Sequence, residues 1–395
     1  MFDDRDVELK GRQLVGKKID LIVTGGIAAI ESPKLVRELR RFGAEVRVFM
    51  TPAATQFITP LSLEWASKNK VITDLSGSAE HITHSDAVIV APATLDFISK
   101  TAMGFADSAA GTLLQSAISR LPVFFAPSMH LSLSQNPIYQ NHLKNLSSIS
   151  NVEIFDPVES EGKAKLLSFE EITARICHRL SASQLKNISM VISLGPTRSY
   201  ADDFRYLSNR SSGTLGFAIA DELFRRGANV TCIAGPTQIQ VPSYLPVRSV
   251  ETLDQMRFEF LGTLDSTKAM VAIFCAAVLD FEVTSKSLGK TSSKSNWSID
   301  LKPTQKLIQS VSAKNILKVG FKLESNISIE TLKEIAKDSA KSNEAPIVVA
   351  NRMEDIGNGK HRAFIFNATT QEFFELQSKK EIAQKLADLL EQVIT

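Results

Sequence analysis

A buried-strand pattern followed by a polar, glycine-bearing turn, an amphipathic helix and a second strand occurs twice in this chain, and it leaves few folds open. Ile19-Asp20-Leu21-Ile22-Val23 is short and apolar, like a strand covered on both faces. Thr24-Gly25-Gly26-Ile27-Ala28-Ala29 reads as a turn, and Leu35, Val36, Leu39 and Phe42 recur at helical spacing before Gly43. Val46-Arg47-Val48-Phe49-Met50 opens the next strand. The order begins again at Met190-Val191-Ile192-Ser193-Leu194, with Leu215, Ile219, Leu223 and Phe224 on the helix and Gly227 closing it. The return into the second strand is echoed too, Arg40-Arg41-Phe42-Gly43-Ala44-Glu45-Val46 by Arg225-Arg226-Gly227-Ala228-Asn229-Val230. This alternation predicts an α/β protein of two tandem doubly wound Rossmann-like domains.

A length of 395 residues agrees with two cores rather than one. The polar segment Leu180 to Asn187 is the expected boundary, giving domains 1–180 and 187–395, although a segment without a Gly/Ser or Pro linker could be a loop. Further strands are expected at Ala87–Ala91, Val123–Ala126, Met270–Ala276, Ile316–Phe321, Ile347–Ala350 and Ala363–Phe366. The charged first dozen residues are expected to fray. A formal charge of +2, evenly spread, argues against nucleic-acid or membrane attraction but leaves small anionic ligands open. Cys177, Cys232 and Cys275 form no CxxC pair, so neither a disulfide framework nor a zinc site is expected. With no signal peptide and no apolar run of about 20 residues, the expected location is cytoplasmic.

The most specific local signal lies after the second domain's first strand. Gly195-Pro196-Thr197-Arg198 is followed by Arg205-Tyr206-Leu207-Ser208-Asn209-Arg210-Ser211-Ser212-Gly213, a polar loop between strand and helix. There, backbone N–H groups with Asn209, Ser211 and Ser212 would face an anion. The spacing from GPTR to RYxSNxSSG resembles the ligase half of the bifunctional phosphopantothenoylcysteine decarboxylase/phosphopantothenate-cysteine ligases of coenzyme A biosynthesis. The resemblance runs from about Asn187 to the C-terminus. It implies ligation of 4′-phosphopantothenate to cysteine, with CTP as co-substrate, Mg2+ and an acyl-cytidylate intermediate.

Residue by residue, the resemblance implies that Asn209 contacts the acyl-cytidylate and that Phe274-Cys275-Ala276-Ala277-Val278 with Asp280 contacts the nucleotide. Lys290, ten residues after Asp280, falls near the family's essential lysine. Gly320-Phe321 matches a segment that packs on the nucleotide, and Lys337 and Lys341 match a pair that binds the triphosphate. Spacing alone puts Lys337 and Lys341 on one helix face, which could equally be solvated. Departures occur at Ser199, at Pro303-Thr304-Gln305-Lys306-Leu307, at Ala350-Asn351-Arg352 and at Gly357-Asn358-Gly359-Lys360-His361, and they bear on nucleotide choice and magnesium placement.

In the first half, Gly25-Gly26-Ile27-Ala28-Ala29 lacks GxGxxG spacing, so an ordinary NAD site is not expected. Together with Met50-Thr51, Thr59-Pro60-Leu61-Ser62-Leu63, His81-Ile82, Ala91-Pro92-Ala93-Thr94 and Pro127-Ser128-Met129, it resembles the flavin-containing cysteine decarboxylases over residues 16 to 147. That implies a flavodoxin-like fold and FMN, with Gly25, Gly26, Ile27 and Thr51 near the phosphate and Ala91, Pro92, Ala93 and Thr94 near the isoalloxazine. It further implies a required histidine at His81 and a homo-oligomer built from trimers with the flavin at the subunit interface. His130 stands where the family's carboxylate-holding Asn falls, Asp156 to Lys165 contains no flap cysteine, and Glu31 replaces a lysine. These departures predict a decarboxylase that is impaired or absent. Two alternatives stay open, a monofunctional ligase on a flavoprotein scaffold and a non-catalytic regulatory homologue.

Overall fold

A computed structural model describes residues 3–394 except 240, 295, 313, 314, 358 and 359, so Asn358 and Gly359 of the departing loop lie outside the described residues. The chain divides into two compact units, Met1–Leu180 and Ser181–Thr395.

In the first unit, five parallel strands form one sheet: β1 (Lys18–Val23), β2 (Glu45–Met50), β3 (Ala87–Ala93), β4 (Val123–Pro127) and, after β5 (Met129–His130), β6 (Val152–Ile154). Their order is β2-β1-β3-β4-β6. Side chains alternate along β1, so Ile19, Leu21 and Val23 enter one core while Ile22 enters the other. The first core is closed by α1 (Ser32–Arg41), α2 (Pro60–Ser67) and α7 (Phe169–Leu180) through Leu39, Leu63 and Ile176. The second is closed by α3 (Leu95–Ala102), α4 (Ala109–Ala117) and α6 (Pro137–Ser147) through Ile98, Leu113 and Leu146. A four-residue helix, α5 (Leu131–Ser134), precedes α6, and a hairpin of β7 (Val158–Ser160) and β8 (Lys163–Lys165) pairs with β5.

One charged group is fully buried in this unit. Asp20 on β1 accepts two hydrogen bonds from Arg47, at 2.7 and 2.9 Å, and one from the Thr83 hydroxyl at 2.5 Å. Three donors offset the cost of desolvating the carboxylate. The N-terminal segment does not fray as its charge predicted. Arg37 and Arg40 donate to the carbonyls of Asp6 and Arg5, Lys10 pairs with the nearly buried Glu38 at 2.8 Å, and Leu14 is fully buried. Of the tail's own charges Lys10 pairs with α1, and the arginines of α1 hold the tail by its backbone.

The second unit carries an eight-stranded sheet in the order β13-β12-β9-β14-β17-β18-β21-β22. Its parallel part comprises β9 (Ser189–Leu194), β12 (Asn229–Ala234), β13 (Val247–Ser249), β14 (Val271–Phe274), β17 (Leu317–Glu324) and β18 (Ile347–Arg352). β21 (Ala363–Asn367) and β22 (Glu372–Leu376) extend it antiparallel. Short ribbons project from it: β10 (Arg198–Tyr200) with β11 (Tyr206–Ser208), β15 (Phe281–Val283) with β16 (Leu301–Pro303), and β19 (Ile356–Gly357) with β20 (Lys360–His361). The helices are α8 (Thr214–Arg225), α9 (Leu253–Ser266), α10 (Ile329–Asn343) and α11 (Lys379–Ile394). α9 covers β9, β12 and β14 through Met256, Phe260 and Leu264. α8 packs on α11, where Arg226 bridges Glu222, Asp388 and Glu391.

Candidate functional site

The carboxyl ends of β9, β14, β17 and β18 surround a cavity of about 580 Å3 in the second unit. Parallel strands end together, and the loops that leave them carry polar residues toward one crevice. α8 opens onto it from Gly213, whose φ of +74° is a left-handed conformation suited to glycine, and which supplies no side-chain cap. The first turn of α8, whose Thr214 N–H donates to the Ser212 hydroxyl at 3.5 Å, and the hydroxyls of Ser211, Ser212 and Thr214 thus meet the cavity at the positive end of the helix.

Asn209 enters from the end of the β10–β11 ribbon. Its Nδ2 donates to the carbonyls of Val278 at 2.8 Å and Ala277 at 3.3 Å. That orients the amide and leaves Oδ1 to accept from a ligand. Beside it Phe274, Cys275, Ala276 and Asp280 line the wall, and so does Phe321 on the adjacent strand β17. Burial pushes the Cys275 thiol up to about 12, which favours the protonated thiol over the thiolate in this wall. Asp280 and Glu324 are carboxylates of the lining.

Three lysines expected at the site lie elsewhere. Lys290 is exposed, its ammonium 5.8 Å from the Phe204 ring, and it does not line the cavity. Its neighbours are nonetheless fixed: Gly289 N–H donates to Asp203 and Thr291 N–H to Asp202, which tie this segment to the ribbon bearing Asn209. Lys337 pairs with Glu334 at 2.7 Å, and neither it nor Lys341 lines the cavity. The residues of α10 that do are Ser339 and Asn343, two positions further along. Two residues turn a helix by about 200°, so the lysine pair points away.

The cavity's cations are Arg210 and Lys306, which lie in quoted segments without having been assigned a role, and Lys322 and Lys379, which lie in none. Lys379 begins α11 and donates to the Thr214 hydroxyl. His361 is 7% exposed, with Nε2 against Asn351 at 3.2 Å and Nδ1 without a hydrogen-bond partner among the described residues. Burial, and then the Lys379 charge, hold its pKa below the ordinary histidine value. A lysine at the very start of the last helix, against the usual charge preference, was the available sequence signal for Lys379.

In the first unit the ends of β1, β2 and β3 converge. Thr24 donates to the Pro92 carbonyl at 2.7 Å and accepts from Thr94 N–H at 3.1 Å, while Thr51 N–H donates to the Val23 carbonyl. A Cβ on Gly25 would stand 2.3 Å from that of Ala53, so only glycine allows this turn to lie against the segment after Thr51. Gly25, Gly26, Thr51 and the Ala91–Thr94 segment are therefore neighbours, with Ile27 uncovered beside them at 71% exposure. Glu31 is paired with Lys34 at 2.6 Å.

The two histidines stand outside this hydrogen-bonded group. His81 is held through its carbonyl by Ser116 at 2.6 Å. His130 is exposed and caps α5, its Nδ1 accepting from Ser132 N–H at 3.3 Å. Opposite His130 in the β5–β8 pairing stands Lys163, so His130 and the cysteine-free hairpin are adjacent. Among the described residues, no group of three or more His, Cys, Asp or Glu side chains is arranged to hold a metal ion, and no helix is long and apolar enough to cross a membrane.

Comparison with known proteins follows the two units. Residues 8–181 match the family described as Flavoprotein, and residues 185–394 match the DNA/pantothenate metabolism flavoprotein C-terminal domain. The coenzyme A biosynthesis bifunctional protein CoaBC of Thermococcus kodakarensis is 36% identical over 98% of this chain and 97% of its own length. That of Haemophilus influenzae is 34% identical over 97% of this chain and 98% of its own. The solved C-terminal domain of a CoaBC protein is 24% identical and aligns with 54% of this chain and 98% of its own at a TM-score of 0.46. With both halves matched in order and full-length relatives above 30% identity, this chain belongs to the family of coenzyme A biosynthesis bifunctional proteins.

Proposed function

We propose that the second unit joins 4′-phosphopantothenate to cysteine at the expense of CTP, and that the first unit carries the FMN-dependent decarboxylation of the phosphopantothenoylcysteine so formed. The observation that carries the ligase reading is the convergence of Asn209, Asp280, Phe321 and the start of α8 on one cavity. A carboxylate oxygen of phosphopantothenate attacks the α-phosphorus of CTP, the bond to the β-phosphate oxygen breaks, and pyrophosphate leaves. The neutral cysteine amine then attacks the acyl carbon, CMP departs, and the amine loses its proton. The α8 amides and hydroxyls would hold phosphate oxygens through this charge development, and Asn209 would orient the acyl group. Mg2+ fits as a companion of the triphosphate rather than as a resident of a protein cage, with Asp280 and Glu324 as nearby carboxylates.

The strand orders β2-β1-β3-β4-β6 and β13-β12-β9-β14-β17-β18 follow the flavodoxin-like and Rossmann sequences, which supports two doubly wound domains with sites at strand ends. The Gly25–Gly26 turn, Thr51 and the Ala91–Thr94 segment fit the phosphate and ring of FMN, which when bound supplies the redox chemistry of thiol oxidation. Ile27, Leu61, Met103 and Ile138 are exposed on this unit, which supports assembly of copies, in trimers as we infer it. Free cysteines and the use of CTP fit a cytoplasmic location.

His130 serves as a helix cap and the hairpin opposite it lacks a thiol, which favours a slow decarboxylase. Purified protein given 4′-phosphopantothenate, cysteine, CTP and Mg2+ is expected to accumulate phosphopantothenoylcysteine, followed by mass. Rapid conversion to phosphopantetheine would overturn the slow decarboxylase, and absence of both products would overturn the ligase.

A further inference from the structure

Lys379 occupies an electrostatically unfavourable position. It is the first residue of α11, where the positive end of that helix repels a cation, and its ammonium is hydrogen-bonded to Thr214, the first residue of α8. Two helix starts and one ammonium therefore share a corner of the cavity. Among the described residues no ion pair joins Lys379 to a carboxylate. His361, largely buried in the same lining, keeps Nδ1 without a hydrogen-bond partner among the described residues. Among the described residues of α10, those lining the cavity are Ser339 and Asn343, neither of them a cation.

We propose that Lys379 is a phosphate-contacting residue of this cavity, binding the β- and γ-phosphates of a nucleoside triphosphate together with the α8 N-terminus, so that α11 supplies the charge that α10 does not. This rests on the nucleotide-dependent ligase reading. A polyphosphate placed there relieves the repulsion at both helix starts and accepts charge-assisted hydrogen bonds from the ammonium. Thr214 serves as the rest that keeps the side chain extended into the cavity before the anion arrives.

The test uses the full-length chain, with binding of inorganic tripolyphosphate and of CTP measured by calorimetry. Lys379→Gln, which removes the charge and keeps a polar side chain with a hydrogen-bond donor, is expected to weaken both ligands about 10- to 100-fold. Lys379→Arg is expected to restore most of the loss, and the salt dependence of binding is expected to be shallower in Lys379→Gln than in the parent. A polar residue that merely held Thr214 would leave tripolyphosphate binding unchanged in Lys379→Gln, and that result overturns the proposal. Failure of the parent chain to bind tripolyphosphate overturns it as well. Tripolyphosphate binding that depends on Lys379, without any CTP binding, upholds the anion contact and overturns the CTP-dependent ligase.

Discussion

At the residue scale, the second unit's cavity is a set of oriented polar groups, and each makes a separate claim. Asn209 is fixed by two carbonyls on its amide nitrogen, which pre-pays the ordering of the side chain. Asn209→Ala is expected to lower ligase kcat about 100-fold, read by steady-state kinetics at saturating CTP. His361 has a lowered pKa from burial first and Lys379 second. A histidine held neutral contributes stability that is complete above its unfolded value and lost as pH falls below it through the folded value. Its ring protons, followed by NMR, are thus expected to titrate below the free-histidine midpoint, and Lys379→Gln is expected to move the midpoint up. Asp202 follows the same sign for a carboxyl. Burial raises its pKa, but N–H bonds from Phe204, Thr291 and Arg205, with the Arg205 charge, outweigh that and hold it at about 2. The tie between Asn209's ribbon and the segment of Lys290 is therefore expected to loosen only as pH falls from about 4 toward 2, measured as amide exchange at Thr291.

At the scale of elements, close backbone approach and helical phase decide the site. Gly235 follows β12, and a Cβ there would stand 1.8 Å from the Pro196 carbonyl oxygen. Gly235→Ala is expected to destabilise the second unit by about 3 kcal/mol in denaturant unfolding, because backbone must move to admit one methyl group. The main strands were legible in sequence: those expected at Ala87, Val123, Ile347 and Ala363 begin at those residues in the structure. Short ribbons such as β7–β8 and β19–β20 were not, since three- or two-residue strands carry too few side chains to show a period. The order of the charged N-terminal segment is not legible locally, because charge suggests solvation, while its partners on α1 and at Lys68, just after α2, are distant in sequence. Helix α10 shows the other limit. Its existence followed from periodicity, but a two-residue difference between Lys337 and Ser339 separates its outer face from the cavity.

At the scale of the molecule, each unit has its own sheet and helices, and every residue lining the cavity belongs to the second. A chain beginning at Ser181 is therefore expected to bind CTP as the full protein does, checked by calorimetry. Apolar runs, helical spacing and ordered motifs determined by themselves that this chain forms two α/β units, and they brought Asn209, Phe274, Cys275, Ala276, Asp280 and Phe321 to notice, all of which one cavity gathers. In the first unit they marked the Gly25 turn, Thr51 and the Ala91–Thr94 segment, which strand ends bring side by side. Tertiary structure alone decided which lysines face the cavity. Lys379 reaches Thr214 across 165 residues of chain, whereas Lys290, Lys337 and Lys341 keep motif-like spacing without lining it. Local sequence sets the period of each element, but the phase of a helix and the partner of its first residue are set by how the whole sheet closes around its core.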